Sequence, residues 1–218
     1  MGIAAQKKNY DTEAVKRARA WFDNKAEPVW EMTELYPPQG SWDVEDYLAL
    51  DTDRRIEFDN GRLEFLPVPT MTHEEILLFL FDALRAFVNA KKLGRVFFSG
   101  IRVYTLGTKY RVPDVVFMRK ERAARMKDEA WEGCDIAMEV VSPEDPDRDW
   151  KKKRREYAGA GIPEYWIVDP QKQEIAVLSL RGKAYAVHGR FKPGQKADSV
   201  LLKGFAVDVR EALFGAKE

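Results

Sequence analysis

The chain has 218 residues, a hydrophobic fraction of 45% and no net charge, since 36 lysines and arginines balance 36 aspartates and glutamates. This composition is typical of a globular protein and excludes a disordered chain. The balanced charge excludes binding of nucleic acid through overall charge alone, so such binding needs a local basic patch. The single cysteine cannot form an internal disulfide and no segment resembles a secretory signal or a membrane span, so we expect a cytoplasmic protein with no membrane partner.

The first forty residues differ in pattern from the remainder. The segment Asp11–Lys25 predicts a helix because its apolar residues recur at helical spacing. A proline-containing stretch from Tyr36 to Gly40 then ends that helix. We therefore predict an N-terminal helical extension over residues 1–40 and one further domain over residues 41–218.

From Ser41 onward the pattern predicts regular elements in quick succession. Ser41 is a candidate N-cap for a short helix that runs through Leu50. The runs Arg55–Phe58 and Arg62–Leu66 then alternate apolar and charged residues on either side of Asp59-Asn60-Gly61. Because this tripeptide is a turn signal, we predict a β-hairpin.

A long helix, Glu74–Lys92, is predicted next by a broad apolar face, with Thr72 as its cap and Gly94 as its stop. Three strand candidates and one charged surface helix follow this helix. The strands are Arg95–Tyr104, Arg111–Met118 and Asp135–Val141, and the surface helix is Lys120–Asp128.

A second main helix is predicted from about Asp147 to Ala160, where Gly161-Ile162-Pro163 stops it. Four strand candidates and a closing helix complete the chain. They are Tyr165–Val168, Glu174–Leu180, Lys183–His188, Ser199–Leu202 and the helix Val209–Phe214. This order of elements predicts an α/β fold with a mixed central β-sheet flanked by helices.

Glu139 is the only ionisable residue in the apolar run IAMEVVSP, which extends from Ile136 to Pro143. A lone carboxylate in a buried strand costs roughly several kcal/mol unless a charged or polar group meets it. Asp114 follows Pro113 in another strand-like run, so pairing of the two strands would bring the carboxylates face to face. A divalent ion such as Mg²⁺ would neutralise them, because it prefers carboxylate, water and phosphate oxygens.

The helix that follows begins with a basic run. Asp149, Lys153 and Tyr157 recur at intervals of four and therefore share one helix face. Two acids and a lysine around a divalent metal are the groups used in phosphodiester hydrolysis. Each group alone also has a structural explanation, with Glu139 as a salt-bridged strand end, Asp114 as a turn former and the basic run as a solvated helix face.

Several segments together carry a resemblance to a known family. They are WDVEDYLALDTDRRIEFDNGRLEFLP, THEEI, RVPDVVF, AMEVVSPE, RDWKKKRREYAGAGIPEYWIVDP and GFAVDVREALF. These segments, which extend from Ser41 to about Gly215, resemble the Uma-two family of restriction-endonuclease-like proteins within the PD-(D/E)XK nuclease superfamily. The resemblance implies a restriction-endonuclease-like mixed sheet flanked by helices, with an Mg²⁺-dependent phosphodiesterase site at one sheet edge.

Carried over residue by residue, the resemblance implies metal ligands at Asp114, at Glu139 and at the main-chain carbonyl of Val140. In the superfamily's simplest motif the catalytic lysine comes two residues after the acid, where this chain has Val141. Members of the family instead carry a lysine on the following helix, which is Lys153 here.

Three further residues match the family pattern as auxiliary positions. Glu57 is expected close to the metal edge, and Tyr157 is expected to orient the lysine or the substrate. His73 opens the long helix, where local hydrogen bonding or core contact is the alternative to a role in catalysis.

These residues predict a homodimeric nuclease that uses Mg²⁺ or Mn²⁺ and a water nucleophile to cleave DNA. Two alternatives remain open. Val141 at the usual lysine position and the neutral net charge fit a catalytically inactive protein that binds nucleic acid or other proteins through the same fold. The second alternative is a regulatory partner of a mobile element or defence system that recruits proteins through the N-terminal helix.

Overall fold

The fold is described from a computed structural model that covers residues 37–50, 52 and 54–215. The helix predicted at Asp11–Lys25, and with it most of the predicted extension, lies outside the described residues. The helices in chain order are α1 Val44–Leu48, α2 Met71–Ala90, α3 Arg154–Gly159 and α4 Val209–Phe214. The strands in chain order are β1 Ile56–Asp59, β2 Arg62–Phe65, β3 Gly94–Phe98, β4 Val103–Tyr104, β5 Lys109–Arg111, β6 Val115–Arg119, β7 Trp131–Glu132, β8 Ile136–Val140, β9 Glu164–Asp169, β10 Glu174–Arg181, β11 Ala184–Phe191, β12 Lys196–Asp198 and β13 Ala206–Asp208.

Short polar side chains cap both early helices, but not the two that the sequence predicts. The Asp43 carboxylate accepts a hydrogen bond from the Asp46 N–H at 2.7 Å and caps α1, so the prediction of Ser41 was wrong. The Thr70 hydroxyl accepts from the His73 N–H at 3.2 Å and caps α2, so the prediction of Thr72 was wrong as well. In both helices the capping residue has an extended backbone and directly precedes the first helical residue. A side chain at this position can accept from the unpaired N–H groups of the first turn.

The predicted hairpin is confirmed. Strands β1 and β2 pair antiparallel, and Asp59 pairs with Arg62 across the two-residue turn of Asn60 and Gly61. Both turn residues have positive φ, 49° and 83°, which is the geometry that fits the twist of the flanking strands.

Three predicted strands differ from the structure, and in one of them, Arg111–Met118, residues 112–114 separate the end of β5 from β6. The run Arg95–Tyr104 is divided into β3 and β4 because Ser99 and Gly100 both have positive φ and turn the chain. The prediction of a strand at Ser199–Leu202 was wrong, because the Ser199 hydroxyl accepts from the Leu202 N–H at 2.8 Å and donates to Glu164 at 2.7 Å, which holds a turn.

The two predicted charged helices are also shorter or less regular than expected. The surface helix is a 3₁₀-helix limited to Lys120–Arg125. The second main helix has two parts, a π-helical segment Arg148–Lys153 followed by α3. A π-helical turn contains more residues than an α-helical one and often marks a functional site.

The predicted mixed sheet is confirmed as a six-stranded sheet in the order β11-β10-β9-β8-β6-β3. Its pairs are antiparallel except for β8 and β9, which run parallel. A smaller sheet in the order β2-β1-β5-β4-β7 lies beside it, and β12 and β13 form a two-stranded ribbon.

Alternation along β8 divides the core between the two faces of the large sheet. Ile136, Met138 and Val140 belong to a buried cluster with α2 and α4, and Ala137 and Val141 belong to the cluster on the opposite face. The second cluster also contains Tyr157 of α3 and Tyr165 of β9. The sheet is therefore covered by helices on both faces, with α3 on the face opposite to α2.

Replacing Gly61 by alanine should lower the free energy of unfolding by about 2–4 kcal/mol. A Cβ at this position would lie 2.7 Å from the Gly40 carbonyl oxygen, and its φ of 83° disfavours any L-side chain. Chemical denaturation of the variant and the wild type checks this value.

Gly182 is the matched control, because its φ is 62° but nothing lies within 4 Å of a built Cβ. Alanine there should cost only backbone strain, about 1 kcal/mol. Equal losses at both glycines would show that the close approach of residue 40 contributes nothing.

Candidate active site

The alternation of β6 and β8 places the two predicted acids on the same face of the sheet. Glu139 lies between Ala137 and Val141, which are buried on the α3 face. Asp114 directly precedes β6, two residues before Val116, which is buried on that same face. Because side chains at intervals of two share a face, both carboxylates point toward α3.

Asp114 is held against the end of β8. Its Oδ2 accepts a hydrogen bond from the Val140 N–H at 2.8 Å, and its Oδ1 lies 3.2 Å from His73 Nε2 and 3.7 Å from Arg55 Nη1. Since the N–H and C=O of one strand residue point to the same side, the Val140 carbonyl also faces the β6 side. The Asp114 carboxylate and the Val140 carbonyl therefore border one space.

Glu139 is buried and receives two hydrogen-bond donors. The Tyr157 hydroxyl donates to Oε1 at 2.6 Å, and Lys153 Nζ lies 2.8 Å from Oε2. Burial raises the pKa of Glu139, and the negative charges of Asp114 and Asp149 raise it further, whereas Lys153 lowers it. Burial prevails, so the pKa of Glu139 is raised to about 8 even beside Lys153, and further positive charge, such as that of a bound cation, would favour its ionised form.

Lys153 is the cation at the centre of this cluster. Besides Glu139, its Nζ lies 3.4 Å from Asp149 Oδ1 and 3.5 Å from Glu57 Oε1. Burial opposes its charge, but the surrounding carboxylates prevail and hold the pKa of Lys153 above its usual value. Asp149 and Lys153 both belong to the π-helical segment, and both are buried.

Glu57 connects the small sheet to the cluster. Its carboxylate accepts from the Val112 N–H at 3.1 Å and lies 3.2 Å from Arg111 Nη1, and it also pairs with Arg148. Burial alone would raise the pKa of Glu57, but Lys153, Arg111 and Arg148 together lower it to about 2. Glu57 is therefore a permanent anion that helps to hold Lys153.

A cavity of about 250 Å³ opens above these residues. Its floor contains the predicted acids Asp114 and Glu139, and Lys153 lies beside them. Two further cations, Arg55 and Arg148, line its wall, and both are partly exposed. The remaining lining comes from residues 66–70 and 142–145 together with His73, Val112, Val140 and Asp149.

The sequence and the fold were compared with those of known proteins. The sequence model of the Uma2 family, described as putative restriction endonuclease, matches residues 44–210. The chain belongs to the Uma2 family. Its fold is similar to the crystal structure of a putative nuclease belonging to DUF820 from Anabaena variabilis, with a TM-score of 0.64 and 19% identity, over 78% of this chain and 96% of that chain. No curated protein matches the chain.

The Uma2 assignment confirms the resemblance found in the sequence, and the structural similarity confirms the restriction-endonuclease-like fold. The description of the family, putative restriction endonuclease, supports a nuclease-like function. Within the described residues, no helix combines the length and the apolar character needed to cross a membrane.

The auxiliary residues also lie at the pocket. Glu57 and Tyr157 contact Lys153 and Glu139 directly, as described above. His73, at the start of α2, faces Asp114, which raises the pKa of the imidazole although burial opposes this. His73, Asp114, Glu139 and Lys153 therefore line the cavity of this Uma2 protein, whereas Glu57 and Tyr157 lie outside its lining and contact Lys153 and Glu139.

The sequence assigned no role to several residues that the structure places in or next to the pocket. Asp149 shares the four-residue spacing with Lys153, so that spacing was a usable signal. Arg55 and Arg148 carry no such signal, because they converge on the pocket from separate elements. Arg111 is fully buried behind Glu57, which no local pattern indicates.

The donor set suits a hard divalent cation with few protein ligands. Within the part of the chain that the structure describes, no group of three or more histidine, cysteine, aspartate and glutamate side chains is arranged to hold a metal ion. Asp114, Glu139 and the Val140 carbonyl instead offer two carboxylates and one main-chain oxygen beside a cavity. Mg²⁺ is commonly bound by one or two carboxylates with water and phosphate oxygens as its other ligands, so these residues fit it.

The lowered pKa of Glu57 predicts that its ionised form stabilises the fold and that this stabilisation is lost in acid. Its ordinary pKa is 4.5, so the ionised form stabilises the fold above pH 4.5, and this contribution is lost as the pH falls toward 2. By linkage it amounts to about 3 kcal/mol. Glu57→Gln should therefore lower stability at neutral pH and make the decline between pH 4.5 and 2 shallower. Denaturant titrations over this pH range measure both effects.

Glu45→Gln, on the exposed side of α1, is the control for Glu57→Gln and should leave the acid profile unchanged. An acid profile of Glu57→Gln that follows the wild type would contradict the assignment of Glu57 as a stabilising anion.

Proposed function

We propose that this Uma2 protein is a metal-dependent nuclease that hydrolyses phosphodiester bonds in DNA, with water as the nucleophile. The observation that carries the proposal is the convergence of Asp114, Glu139 and Lys153 on one cavity. Acids from two neighbouring strands and an amine from the adjoining helix are the groups that this chemistry requires.

Asp114, Glu139 and the Val140 carbonyl would hold Mg²⁺ or Mn²⁺. When bound there, the metal would lower the pKa of a water molecule and offset negative charge on the phosphate. Asp114 is oriented for this role by the Val140 N–H, which occupies its other oxygen at 2.8 Å. Tyr157 orients Glu139 in the same way at 2.6 Å.

Lys153 would orient the attacking water and stabilise the charge that develops on the phosphate. The ammonium group has three donors and is held by carboxylates on several sides, so its position does not depend on the substrate. Such preorganised charge lowers a reaction barrier because no reorganisation is needed as the reaction proceeds. Glu57 and Asp149 act as the residues that position Lys153.

Arg55 and Arg148 would contact the phosphate groups that flank the cleaved bond. Arg55 has one guanidinium nitrogen within 3.7 Å of Asp114 and 3.3 Å of the Ser99 hydroxyl, and its side chain remains partly exposed toward the cavity. Arginine is well suited to this contact because its planar group offers donors in a fixed arrangement.

The inactive alternative loses its main argument. It depended on Val141 at the usual lysine position, but Lys153 reaches Glu139 from the helix and brings an ammonium group to the same acid at 2.8 Å. The neutral net charge does not oppose DNA binding if the charge is distributed unevenly. The homodimer stays a prediction, for which sedimentation of the purified protein is the direct measurement.

Purified protein should nick plasmid DNA only when Mg²⁺ or Mn²⁺ is added. Asp114→Ala and Glu139→Ala should each lower this activity by at least about 10²-fold, because each removes an anionic group from the proposed metal site. Gel assays with and without EDTA measure the effect.

Asp128→Ala serves as the control for these variants, since Asp128 is exposed and outside the cavity. Thermal melts establish that each variant is folded. Full activity in folded Asp114→Ala and Glu139→Ala variants, or cleavage by the wild type in EDTA, would exclude the proposed site.

Lys153→Met should lower kcat by about 10²-fold or more while the affinity for DNA stays within a few-fold of the wild type, because the buried ammonium acts in the transition state. The neighbouring Lys152→Met is the matched control. Lys152 is directed away from the pocket toward Asp59 and Glu64, so its loss should leave kcat within a few-fold of the wild type. Comparable kcat losses in both variants would contradict a role for Lys153 in the reaction.

A further inference from the structure

A group of basic side chains surrounds Trp150 on the outer side of the helix that carries Lys153. Lys172 Nζ lies 4.4 Å from the centre of the Trp150 ring, and the Arg190 guanidinium lies 4.9 Å from it. We name this group the Trp150 cationic surface. It comprises Lys172 and Arg190 at the ring, Lys192, whose Nζ donates to the Lys172 carbonyl, Arg154 one helical turn after Trp150, and the exposed Lys151 and Arg155 of the same helix.

This surface is adjacent to the cavity. Trp150 follows Asp149 in the π-helical segment, and its Nε1 donates to Asp169 Oδ2 at 2.8 Å. Strands β8 and β9 run parallel with Val140 opposite Val168, so Asp169 ends β9 at the same sheet edge where β8 ends in the pocket. Neighbouring strands are about 4.8 Å apart, so an extended polymer that leaves the cavity on the β9 side would pass over this surface.

The exposed charge of the Trp150 cationic surface is positive. Lys172 and Arg190 are about half exposed, whereas their acidic partners Asp169 and Glu174 are almost fully buried. Lys151 pairs with Asp147, but both groups are mostly exposed, and such surface pairs are weak and readily exchanged for another anion. An approaching ligand therefore meets ammonium and guanidinium groups, which favours phosphates.

The contacts of Trp150 distinguish between kinds of nucleic acid. Proteins that bind single strands use free aromatic faces on which bases stack. Here the Trp150 ring is covered by Lys172 and Arg190, so the surface offers charge without a stacking platform. This favours the regularly spaced phosphates of a duplex over unpaired bases.

We propose that the Trp150 cationic surface binds the phosphate backbone of duplex DNA and guides it to the adjoining cavity. The proposal rests on the proposed nuclease function and adds the surface that would hold the substrate. In this proposal the segment from Arg148 to Gly159 has two functions, since the buried Asp149 and Lys153 line the cavity and the exposed Lys151 and Arg155 would contact the DNA.

Two double variants of the full chain test this surface, K151A/R155A on the helix and K172A/R190A on the β9–β10 turn and on β11. Binding of a short fluorescent duplex DNA is measured by anisotropy in EDTA over salt concentrations from about 50 to 200 mM. Each variant should weaken binding about 10-fold or more, and the slope of log affinity against log salt should become shallower by about 1 to 2 because two phosphate contacts are lost.

The variant K120A/K203A is the matched control, since it removes two exposed lysines that lie outside both the surface and the cavity. It should bind duplex DNA like the wild type. Because K172A/R190A removes contacts to Trp150, thermal melts accompany every measurement, and K151A/R155A, which alters exposed side chains, keeps the test independent of any folding defect.

The outcomes separate this proposal from the nuclease proposal. Salt-dependent duplex binding that is weakened in both surface variants supports the surface, even if the wild type cleaves nothing with any metal. Metal-dependent cleavage with unchanged binding in the surface variants overturns the surface and leaves the nuclease proposal intact. Wild-type protein that binds no duplex at low salt, or that prefers single-stranded DNA or RNA, also overturns it.

Discussion

The buried ammonium of Lys153 is the interaction on which the candidate site depends. Removing a charge of this kind from water costs several kcal/mol, and only closely placed partners offset that cost. Glu139, Asp149 and Glu57 supply them within 2.8 to 3.5 Å. Because these acids come from β8, the helix and β1, one cation draws three separate parts of the fold to a single point.

Arg111 extends this arrangement into the smaller sheet. The side chain is fully buried and pairs with Glu57, Asp59 and Glu156, so β1 and α3 are joined through one guanidinium. Glu57 is shared between Arg111 and Lys153, which makes the structural network and the pocket one electrostatic unit. Loss of Lys153 would remove the cation that pairs with the buried Glu139 and Asp149, and breaking buried pairs typically costs about 3–5 kcal/mol.

Local pattern was sufficient for much of the fold and for part of the site. The hairpin around Gly61 follows from turn chemistry, and the single acid in an apolar strand marked Glu139 because burial makes such a residue costly. Local pattern was insufficient where distant residues decide the outcome. Arginine usually lies on a protein surface. Arg111 is buried because Glu57 and Glu156, which are 54 and 45 residues away in the sequence, pair with it.

The acid and the amine of the pocket belong to different elements, β8 and the π-helical segment, joined by the connection at residues 141–147. Strand β8 fixes the position of Glu139, and the rotation of the helical segment about its own axis fixes the direction in which Lys153 points. Lengthening or shortening that connection would rotate the amine without moving the acid. A change in the length of this connection would therefore separate the amine from the acid even with both side chains still present in the chain.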